Sequence, residues 1–241
     1  MFNKKKISVV LPTFDEVRSI RKCITDFEKL NIVDEILVIN NNAKKGTSEA
    51  VLGTSAMEIF ERKQGYGAAI QRGLYEASGD LVVVVEPDGT FVAKDIYKLL
   101  SYSSEFDLVL GSRTTQALIW KDANMGFFLK WGNYFMAKLI EFVFNTVSLT
   151  DAGCTYRLIK RRALKKIQNK FRINGGHFGP EMILLAIKND LSLIQIPVNY
   201  KKRIGKSNYT GDFLSAIKLG AQMALLVLSV RLKIIDYDKI P

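Results

Sequence analysis

The fold is decided by the stretch Leu81-Val82-Val83-Val84-Val85-Glu86-Pro87-Asp88-Gly89, in which five apolar residues lead directly into a turn with two carboxylates. A strand that is apolar at every position is typical of a sheet covered on both faces, and parallel sheets of this kind bind ligands beyond the carboxyl ends of their strands. Pro87 keeps Glu86 extended, and Gly89 permits a tight turn. We therefore expect both carboxylates to face one crevice, with an ordinary acidic turn as the alternative.

Two carboxylates at the end of a buried strand suit a divalent cation that also binds phosphate. Mg²⁺ and Mn²⁺ favour carboxylate oxygens together with substrate phosphates over a cage made by the protein alone. The pair Glu86 and Asp88 therefore predicts a site for Mg²⁺ or Mn²⁺ that is completed by a nucleotide-linked donor.

The composition is that of a folded globular protein with a basic surface. Of 241 residues, 48% are hydrophobic and 24% are charged, which is enough for one substantial core. The net charge of +11 indicates an anionic partner, which could be a nucleotide donor, a nucleic acid or an anionic membrane. Two cysteines and one histidine give neither a disulfide framework nor a zinc cluster, and the apolar stretch that ends at Pro12 is too short for a signal peptide. We expect a cytoplasmic protein.

Alternating strand and helix patterns predict an α/β fold with a mostly parallel sheet flanked by helices. The strand patterns of the first half cover residues 7–11, 35–39, 57–61, 81–85 and 108–110. The polar residues that follow these strands should meet at one edge of the sheet, where such sheets bind ligands. They are Thr13, Asp15, Glu16, Asn40, Asn41, Glu86, Asp88 and Arg113.

Two apolar stretches in the second half favour helices at a membrane surface. Residues 117–147 place aromatic side chains at helical spacing between lysines, which fits an interfacial helix better than a membrane crossing, with an amphipathic helix packed on the sheet as the alternative that the pattern alone slightly favours. Residues 213–230 are interrupted by Lys218 and Gln222, so a position in the interface or against the body is favoured over a membrane crossing. We predict one domain over residues 1–210 and a C-terminal amphipathic helix and tail over residues 211–241.

Basic residues suggest phosphate binding at two places. Arg113 follows Gly-Ser at a strand end, where its planar guanidinium can bind phosphate or form a structural ion pair. The loop 201–206 contains four cations and a glycine, so it can close over an anion or stay a solvated basic loop. No nucleic-acid-binding motif accompanies this charge, and we expect no nucleic-acid partner.

Two further acids are candidates for catalysis. Asp151 lies at a polar break between apolar stretches, where it could orient an acceptor or form a salt bridge with Arg157. Glu181 opens an apolar helical stretch, and it could act in catalysis or be only a first-turn acid favoured by the helix dipole.

Several short motifs, taken in order, resemble those of the family 2 glycosyltransferases, which have a GT-A (Rossmann-like) fold. The resemblance is strongest to the dolichol-phosphate mannose synthase-like branch, whose opening motif V-V-I-P-T-Y-N-E is similar to residues 9–16, and Glu86-Pro87-Asp88 stands at its D-x-D position. The likeness spans about residues 5–210. The motifs lie at residues 7–16, 86–88, 111–113, 151–157, 196–198 and 203–208.

The resemblance implies a set of site residues. Asp88 would bind the metal with the assistance of Glu86, and Arg113 and Arg203 would face the donor diphosphate or the acceptor phosphate. The implied catalytic residues are Asp88, Arg113, Arg203 and Asp151. The implied nucleotide-sugar residues are Pro12, Thr13, Asp15, Glu16, Asn40, Asn41, Gly67, Glu86, Asp88, Lys206 and Ser207.

The chain departs from the family pattern at three places. Asn40-Asn41 replaces the usual Asp-Asp, so amides that also donate hydrogen bonds stand where carboxylates would accept them. This leaves the donor open between GDP-mannose and a UDP-sugar. Glu86 replaces the first aspartate of D-x-D, and Asn208 replaces the terminal lysine of the basic loop.

The activity implied by the resemblance is metal-dependent, inverting transfer of a sugar to a polyprenyl phosphate. Such a phosphate is mostly dianionic at neutral pH and needs no general base. One alternative is transfer to a saccharide hydroxyl, for which Asp151 or Glu181 would have to serve as the base. Another is a non-catalytic module that binds sugar nucleotides or membrane surfaces. We expect peripheral binding at the inner face of the membrane, or membrane contact supplied by a membrane-spanning partner protein.

Overall fold

A mostly parallel sheet organises the part of the chain that the structure describes, which comprises residues 1–121, 123, 126–205 and 213–237 of a computed structural model. The strands are β1 (Ile7–Thr13), β2 (Glu35–Asn40), β3 (Met57–Phe60), β4 (Leu81–Val84), β5 (Leu108–Ser112), β6 (Arg157–Lys160) and β7 (Leu193–Pro197). The helices are α1 (Ile20–Glu28), α2 (Thr47–Val51), α3 (Tyr66–Glu76), α4 (Ile96–Ser101), α5 (Phe127–Phe144), α6 (Arg161–Ile167), α7 (Phe178–Lys188) and α8 (Phe213–Arg231). The strand order is β3-β2-β1-β4-β6-β5-β7. This architecture confirms the predicted α/β fold.

Strand β4 is covered on both faces, as its uninterrupted apolar sequence predicts. Val82 and Val84 pack in a core with α3, α5, α6, α7 and α8, whereas Leu81, Val83 and Val85 pack in a second core with α1 and α4. All five side chains are buried. Burial of each contributes roughly 1.5–3 kcal/mol, so this strand fixes the centre of the sheet and the position of the turn that follows it.

Within the described sheet, β6 is the one antiparallel strand, and it lies between β4 and β5. Its Leu158 pairs with both Val83 and Val109. The sequence patterns do not reveal β6 or α6, because the charged residues Arg157 and Lys160 bound a strand of only four residues. Both charged residues are nevertheless buried, since β6 is an interior strand.

The two helices predicted at a membrane surface pack against each other and leave apolar side chains exposed. The aromatic stretch forms a short 3₁₀ turn at Gln116–Leu118 and then α5, which is shorter than the predicted range. Helix α8 buries Met223, Leu226, Val227 and Val230 in the core shared with α5 and α7. The exposed side chains on the two helices include Trp131, Phe135, Phe142, Leu214, Ile217, Leu225 and Leu228.

Helix α8 is the one helix among the described residues that is long and apolar enough to cross a membrane, judged by length and composition. The presence of α8 confirms the predicted C-terminal helix. The predicted boundary at residue 210 lies outside the described residues, and the division into a domain and a tail stays a prediction.

Candidate active site

The carboxyl ends of β1, β2, β4 and β5 border a cavity of about 740 Å³. Near the ends of β1 and β2 it is lined by Pro12, Thr13, Phe14, Asn41 and Gln64. Where it meets the helices it is apolar. The apolar lining includes Leu129 and Met136 from α5, Met182 from α7, and Ile217, Leu219 and Met223 from α8. One continuous cavity therefore has a polar side on the sheet edge and an apolar side between helices.

Arg203, from the loop after β7, contacts three carboxylates at this cavity. Its Nη1 lies 2.7 Å from Asp88 Oδ2 and 3.3 Å from Glu86 Oε2, and its Nη2 lies 3.1 Å from Glu16 Oε1. Glu16 is itself fixed, because its Oε2 accepts hydrogen bonds from the backbone N–H groups of Phe14 and Asp15. The predicted residues Glu16, Glu86, Asp88 and Arg203 are thus brought together in one cluster.

Asp88 is only 1% exposed, and its two oxygens differ. Oδ1 accepts hydrogen bonds from the backbone N–H and the hydroxyl of Thr90, at 2.9 and 2.6 Å. Oδ2 lies close to Arg203 but accepts no aligned hydrogen bond. Burial and the nearby Glu86 raise the pKa of Asp88 to about 7, despite the opposing effect of Arg203.

The residues present fit a divalent cation that is shared with a substrate. A buried carboxylate oxygen without a hydrogen bond, on Asp88, is an available ligand. The described residues contain no group of three His, Cys, Asp or Glu side chains that could hold a metal. Among the described residues, a cation at Asp88 would therefore have at most the neighbouring Glu86 as a second carboxylate, and phosphate oxygens and water would complete its ligands, as is usual for Mg²⁺.

Neutral donors hold the Glu86 oxygen that does not contact Arg203. Its Oε1 accepts hydrogen bonds from Tyr66 at 2.8 Å and from Thr155 at 2.6 Å, and these two hydroxyls also contact each other. Burial alone would raise the pKa of Glu86, but Arg203 and the two hydroxyls outweigh it, so that the pKa lies below its usual value. Glu86 therefore stays ionised beside Asp88.

Asp151 orients Arg113. The Asp151 side chain is fully buried, and its Oδ2 accepts hydrogen bonds from the backbone N–H and the Nε of Arg113, while its Oδ1 accepts from Nη2. Gly153 N–H donates a further bond to Oδ1, and the Arg113 guanidinium lies 5.3 Å from the centre of the Tyr200 ring. Arg113 outweighs burial and lowers the pKa of Asp151. Both carboxylate oxygens are engaged, which favours a positioning role over proton abstraction.

Arg157 lines the same cavity but is not the partner of Asp151, which corrects one of the two sequence-based alternatives. Its guanidinium donates to the backbone carbonyl oxygens of Ala152, Cys154 and Gly179, at 2.6–3.0 Å. Burial lowers its pKa. A buried guanidinium held by carbonyls leaves its positive charge available to an anion in the cavity. The sequence signal for this residue is only its place at the end of the motif 151–157.

The two asparagines are used by the protein itself. Asn41 lines the cavity, and its Nδ2 donates to the carbonyl oxygens of Glu61 and Lys63 at 2.9 and 2.8 Å. Its Oδ1 accepts from the backbone N–H of Gly65 at 2.8 Å. Asn40 donates to Glu58 Oε1 and accepts from Ala43 N–H. An aspartate at residue 41 could not donate to two carbonyls, so the amide fixes the loop between β3 and α3.

The remaining predicted residues are placed less directly. Asp15 forms a salt bridge with Lys44 at 2.6 Å. Gly67 is buried against the backbone of residues 173–174, where an added Cβ would lie 2.2 Å from Ile173 O, so it serves close packing. Glu181 is buried and accepts hydrogen bonds from Tyr237 and from the backbone N–H groups of residues 172 and 173. Lys206, Ser207 and Asn208 lie outside the described residues.

A family model described as Glycosyl transferase family 2 matches residues 8–168. The match covers more than half of the chain, and the protein belongs to glycosyl transferase family 2. The family and the glycosyltransferase class suggested by the sequence motifs are therefore confirmed.

Three curated relatives illustrate what the chain is similar to. The low-salt glycan biosynthesis hexosyltransferase Agl6 of Haloferax volcanii is 27% identical over 208 residues, which are 84% of this chain and 49% of that protein. The dolichyl-phosphate beta-glucosyltransferase of Saccharomyces cerevisiae is 22% identical, with 97% of this chain and 77% of that protein covered. The dolichyl-phosphate hexose transferase of Haloferax volcanii is 23% identical, with 95% and 96% covered. The chain thus spans about half the length of Agl6 and most of the other two.

Among solved structures, the glucosyl-3-phosphoglycerate synthase from Mycobacterium tuberculosis in complex with Mn²⁺, uridine diphosphate and glucosyl-3-phosphoglycerate has a TM-score of 0.71. It is 16% identical, and the match covers 95% of this chain and 80% of that one. This similarity shows a shared GT-A type of fold.

Proposed function

We propose that the protein is a metal-dependent, inverting hexosyltransferase that moves a sugar from a nucleotide donor to a polyprenyl phosphate. One observation supports this reading above the others: the 740 Å³ cavity joins a polar sheet edge to an apolar space between α5, α7 and α8. A lipid phosphate has a charged head and a hydrocarbon chain, and it matches both sides. A saccharide acceptor would leave the apolar side without a matching group.

The charges around the cavity suit two phosphate-bearing substrates. Arg113, Arg157 and Arg203 all line it, and guanidinium groups bind phosphate oxygens through paired hydrogen bonds. A phosphate monoester is largely dianionic at neutral pH, so it can attack the anomeric carbon without losing a proton to a base. The reaction would then need no general base, and the two candidate bases, Asp151 and Glu181, are indeed buried and already hydrogen bonded within the protein.

Asp88, with Glu86 beside it, would hold Mg²⁺ or Mn²⁺. This cation would neutralise the charge that develops on the departing diphosphate. The structure of the mycobacterial neighbour with Mn²⁺ and uridine diphosphate supports a cation of this kind. The yeast relative is named a beta-glucosyltransferase, and this is the configuration that inversion at an α-linked nucleotide sugar would give.

The lipid acceptor would place the protein at the inner face of a membrane. Exposed apolar side chains on α5 and α8 lie next to the apolar side of the cavity, and aromatic residues such as Trp131 are typical of the membrane interface. The names of the yeast and archaeal dolichyl-phosphate relatives support a lipid acceptor. A membrane-spanning partner protein remains part of the proposal as an alternative route to the membrane.

The direct test is incubation of the purified protein with UDP-glucose, GDP-mannose and further nucleotide sugars, Mg²⁺ or Mn²⁺, and a polyprenyl phosphate, with mass detection of the glycolipid. We expect one donor to give a sugar-phosphate-lipid product that disappears when the cation is chelated. A saccharide product without any glycolipid would overturn the assignment of the acceptor.

A substitution on α8 tests the apolar side separately. Gly220 lines the cavity, and a Cβ built there meets no atom within 4 Å. Gly220→Leu adds three further carbons to this space and is expected to raise the KM for polyprenyl phosphate by about tenfold, with the KM for the donor unchanged. Gly220→Ala, which adds only the methyl group, is the matched control. An equal rise in both KM values would contradict a lipid-binding role for this side.

A further inference from the structure

A second cavity, of about 330 Å³, lies between α1, the turn after β4 and the loop after β7. Glu86 is the one described residue that lines both this cavity and the active-site cavity. Four lysines line the second cavity, together with apolar side chains that include Trp120, Phe91 and Phe27. The lysines are Lys22, Lys121, Lys201 and Lys202. The second cavity is therefore basic, and apart from Glu86 it is separate from the proposed active site.

Most of this positive charge is not neutralised within the described residues. Lys22 pairs with Asp26 at 2.6 Å. In the described part of the chain, no carboxylate forms a salt bridge with Lys121, Lys201 or Lys202, and Lys201 Nζ instead lies 4.9 Å from the centre of the Trp120 ring.

The wall also holds two carboxylates, that of Asp26, which pairs with Lys22, and that of Glu86. Both oxygens of Glu86 are engaged, Oε1 by Tyr66 and Thr155 and Oε2 by Arg203. Burial raises the pKa of the Cys23 thiol at the cavity wall, so this group is neutral. Among the described residues, three lysines of the wall thus form no salt bridge, and the ammonium group of one of them lies beside an indole ring.

The loop after β7 separates the two cavities, and its residues are divided between them. Tyr200 and Arg203 line the active-site cavity, whereas Lys201, Lys202 and Ile204 line the second one. The backbone of the loop is bonded to the turn after β4, from Lys201 N–H to Thr90 O at 2.7 Å and from Ile204 N–H to Asp88 O at 2.9 Å. A ligand in the second cavity would therefore contact the same loop that holds Arg203 against Asp88.

We propose that the second cavity is a binding site for a phosphate group, carried by an anionic lipid headgroup or by a soluble phosphate. Its volume exceeds that of a phosphate ion, so the apolar wall with Trp120 accommodates a small organic part. A bound anion screens the repulsion among the cations at residues 201–203 and stabilises the loop in the position described here. The site is additional to the proposed transfer reaction and does not depend on it.

Tryptophan fluorescence measures this binding without any assay of activity. The chain has two tryptophans, Trp120 in the second cavity and Trp131 on α5, so Trp131→Phe leaves Trp120 as the single reporter. We would titrate this protein with sodium phosphate and with glycerol 3-phosphate at constant ionic strength set by chloride. Vesicles of phosphatidylglycerol and of phosphatidylcholine form the lipid arm.

The comparison rests on two double variants in the Trp131→Phe background. Lys121→Gln with Lys202→Gln removes two lysines from the cavity. Lys165→Gln with Lys166→Gln removes two exposed lysines of α6 that line neither cavity. We expect a saturable change in fluorescence that weakens about tenfold or more in the first variant and is retained in the second. Circular dichroism establishes that both variants are folded.

The arms of the titration distinguish the sources of the phosphate group. Binding of inorganic phosphate or glycerol 3-phosphate that is lost with the cavity lysines supports a soluble ligand, and a response restricted to phosphatidylglycerol vesicles supports a lipid headgroup. No saturable response to any of these probes, or equal weakening in both double variants, overturns the proposal.

Discussion

Arg113 and Arg203 line the same cavity but are held differently. Arg113 makes hydrogen bonds of 2.8–2.9 Å to a single buried carboxylate, that of Asp151. Arg203 spreads its contacts over Glu16, Glu86 and Asp88, at 2.7–3.3 Å. The first pair fixes the direction of a guanidinium before any substrate arrives. The second arrangement divides one cation among three acids, so its contacts can be exchanged when phosphate or a divalent cation enters.

The largest effect is expected when the acid nearest to Arg203 is removed. Asp88→Ala should keep the fold but lower kcat by about 10³, because the proposed cation loses its buried carboxylate ligand and the departing diphosphate loses its neutralisation. Initial rates of glycolipid formation with saturating Mn²⁺, together with thermal unfolding, measure both quantities. Glu76→Ala, on the surface of α3, is the control. Undiminished turnover of the Asp88 variant would contradict the proposed role.

Breaking the Arg113–Asp151 ion pair should lower the free energy of unfolding. Asp151→Asn leaves the Arg113 guanidinium buried without a counter-charge, which costs roughly 3 kcal/mol of unfolding free energy. Urea unfolding followed by circular dichroism measures it. A loss of unfolding free energy below about 1 kcal/mol would show that Asp151 does not hold Arg113 rigidly.

The same variant should change the response to acid. Since the pKa of Asp151 is lowered in the folded protein, its contribution to stability is complete above the ordinary carboxyl pKa of about 3.9. The contribution is lost as the pH falls toward the lower folded value. The wild-type protein should therefore lose more stability than Asp151→Asn does between about pH 5 and pH 3, and parallel losses would contradict this account.

The smallest effect tests the exchangeable arginine. Arg203→Gln removes the cation that lies against Asp88 Oδ2, so Mn²⁺ should bind about fivefold more tightly in the absence of nucleotide. Electron paramagnetic resonance of free Mn²⁺ measures this affinity directly. Arg62→Gln, an exposed residue between β3 and α3, is the matched loss of charge. Weaker Mn²⁺ binding in the Arg203 variant would show that the arginine supports the cation site instead of competing for it.

The sheet edge was predictable because it follows from periodicity. Apolar runs locate buried strands, and the polar residues after them must then meet at one edge, as Glu16, Glu86 and Asp88 do. Pairings between distant loops do not follow from such patterns. On sequence grounds Asp151 could orient an acceptor or pair with Arg157, whereas in the structure its partner is Arg113, at the end of β5.

The two asparagines show a second limit of sequence reasoning. Their departure from the family's Asp-Asp is visible in the sequence, but the reason for it is not. The structure shows that Asn41 donates hydrogen bonds to the carbonyl groups of Glu61 and Lys63, which an aspartate could not do. Gly67, which the resemblance implies as a nucleotide-sugar residue, allows the close approach of α3 to residues 173–174.

The antiparallel strand β6 has a consequence for synthesis of the chain. Leu81 on β4 pairs with Lys160 on β6, so the central strand of the sheet is completed only after nearly eighty further residues have been added. During translation, β1 to β4 can associate while one edge of β4 remains open. Open apolar strand edges invite wrong pairing, and contacts between distant residues form slowly. Residues 157–160 therefore cover the open edge of β4, and the arginine at their start cannot reach the cavity before that pairing forms.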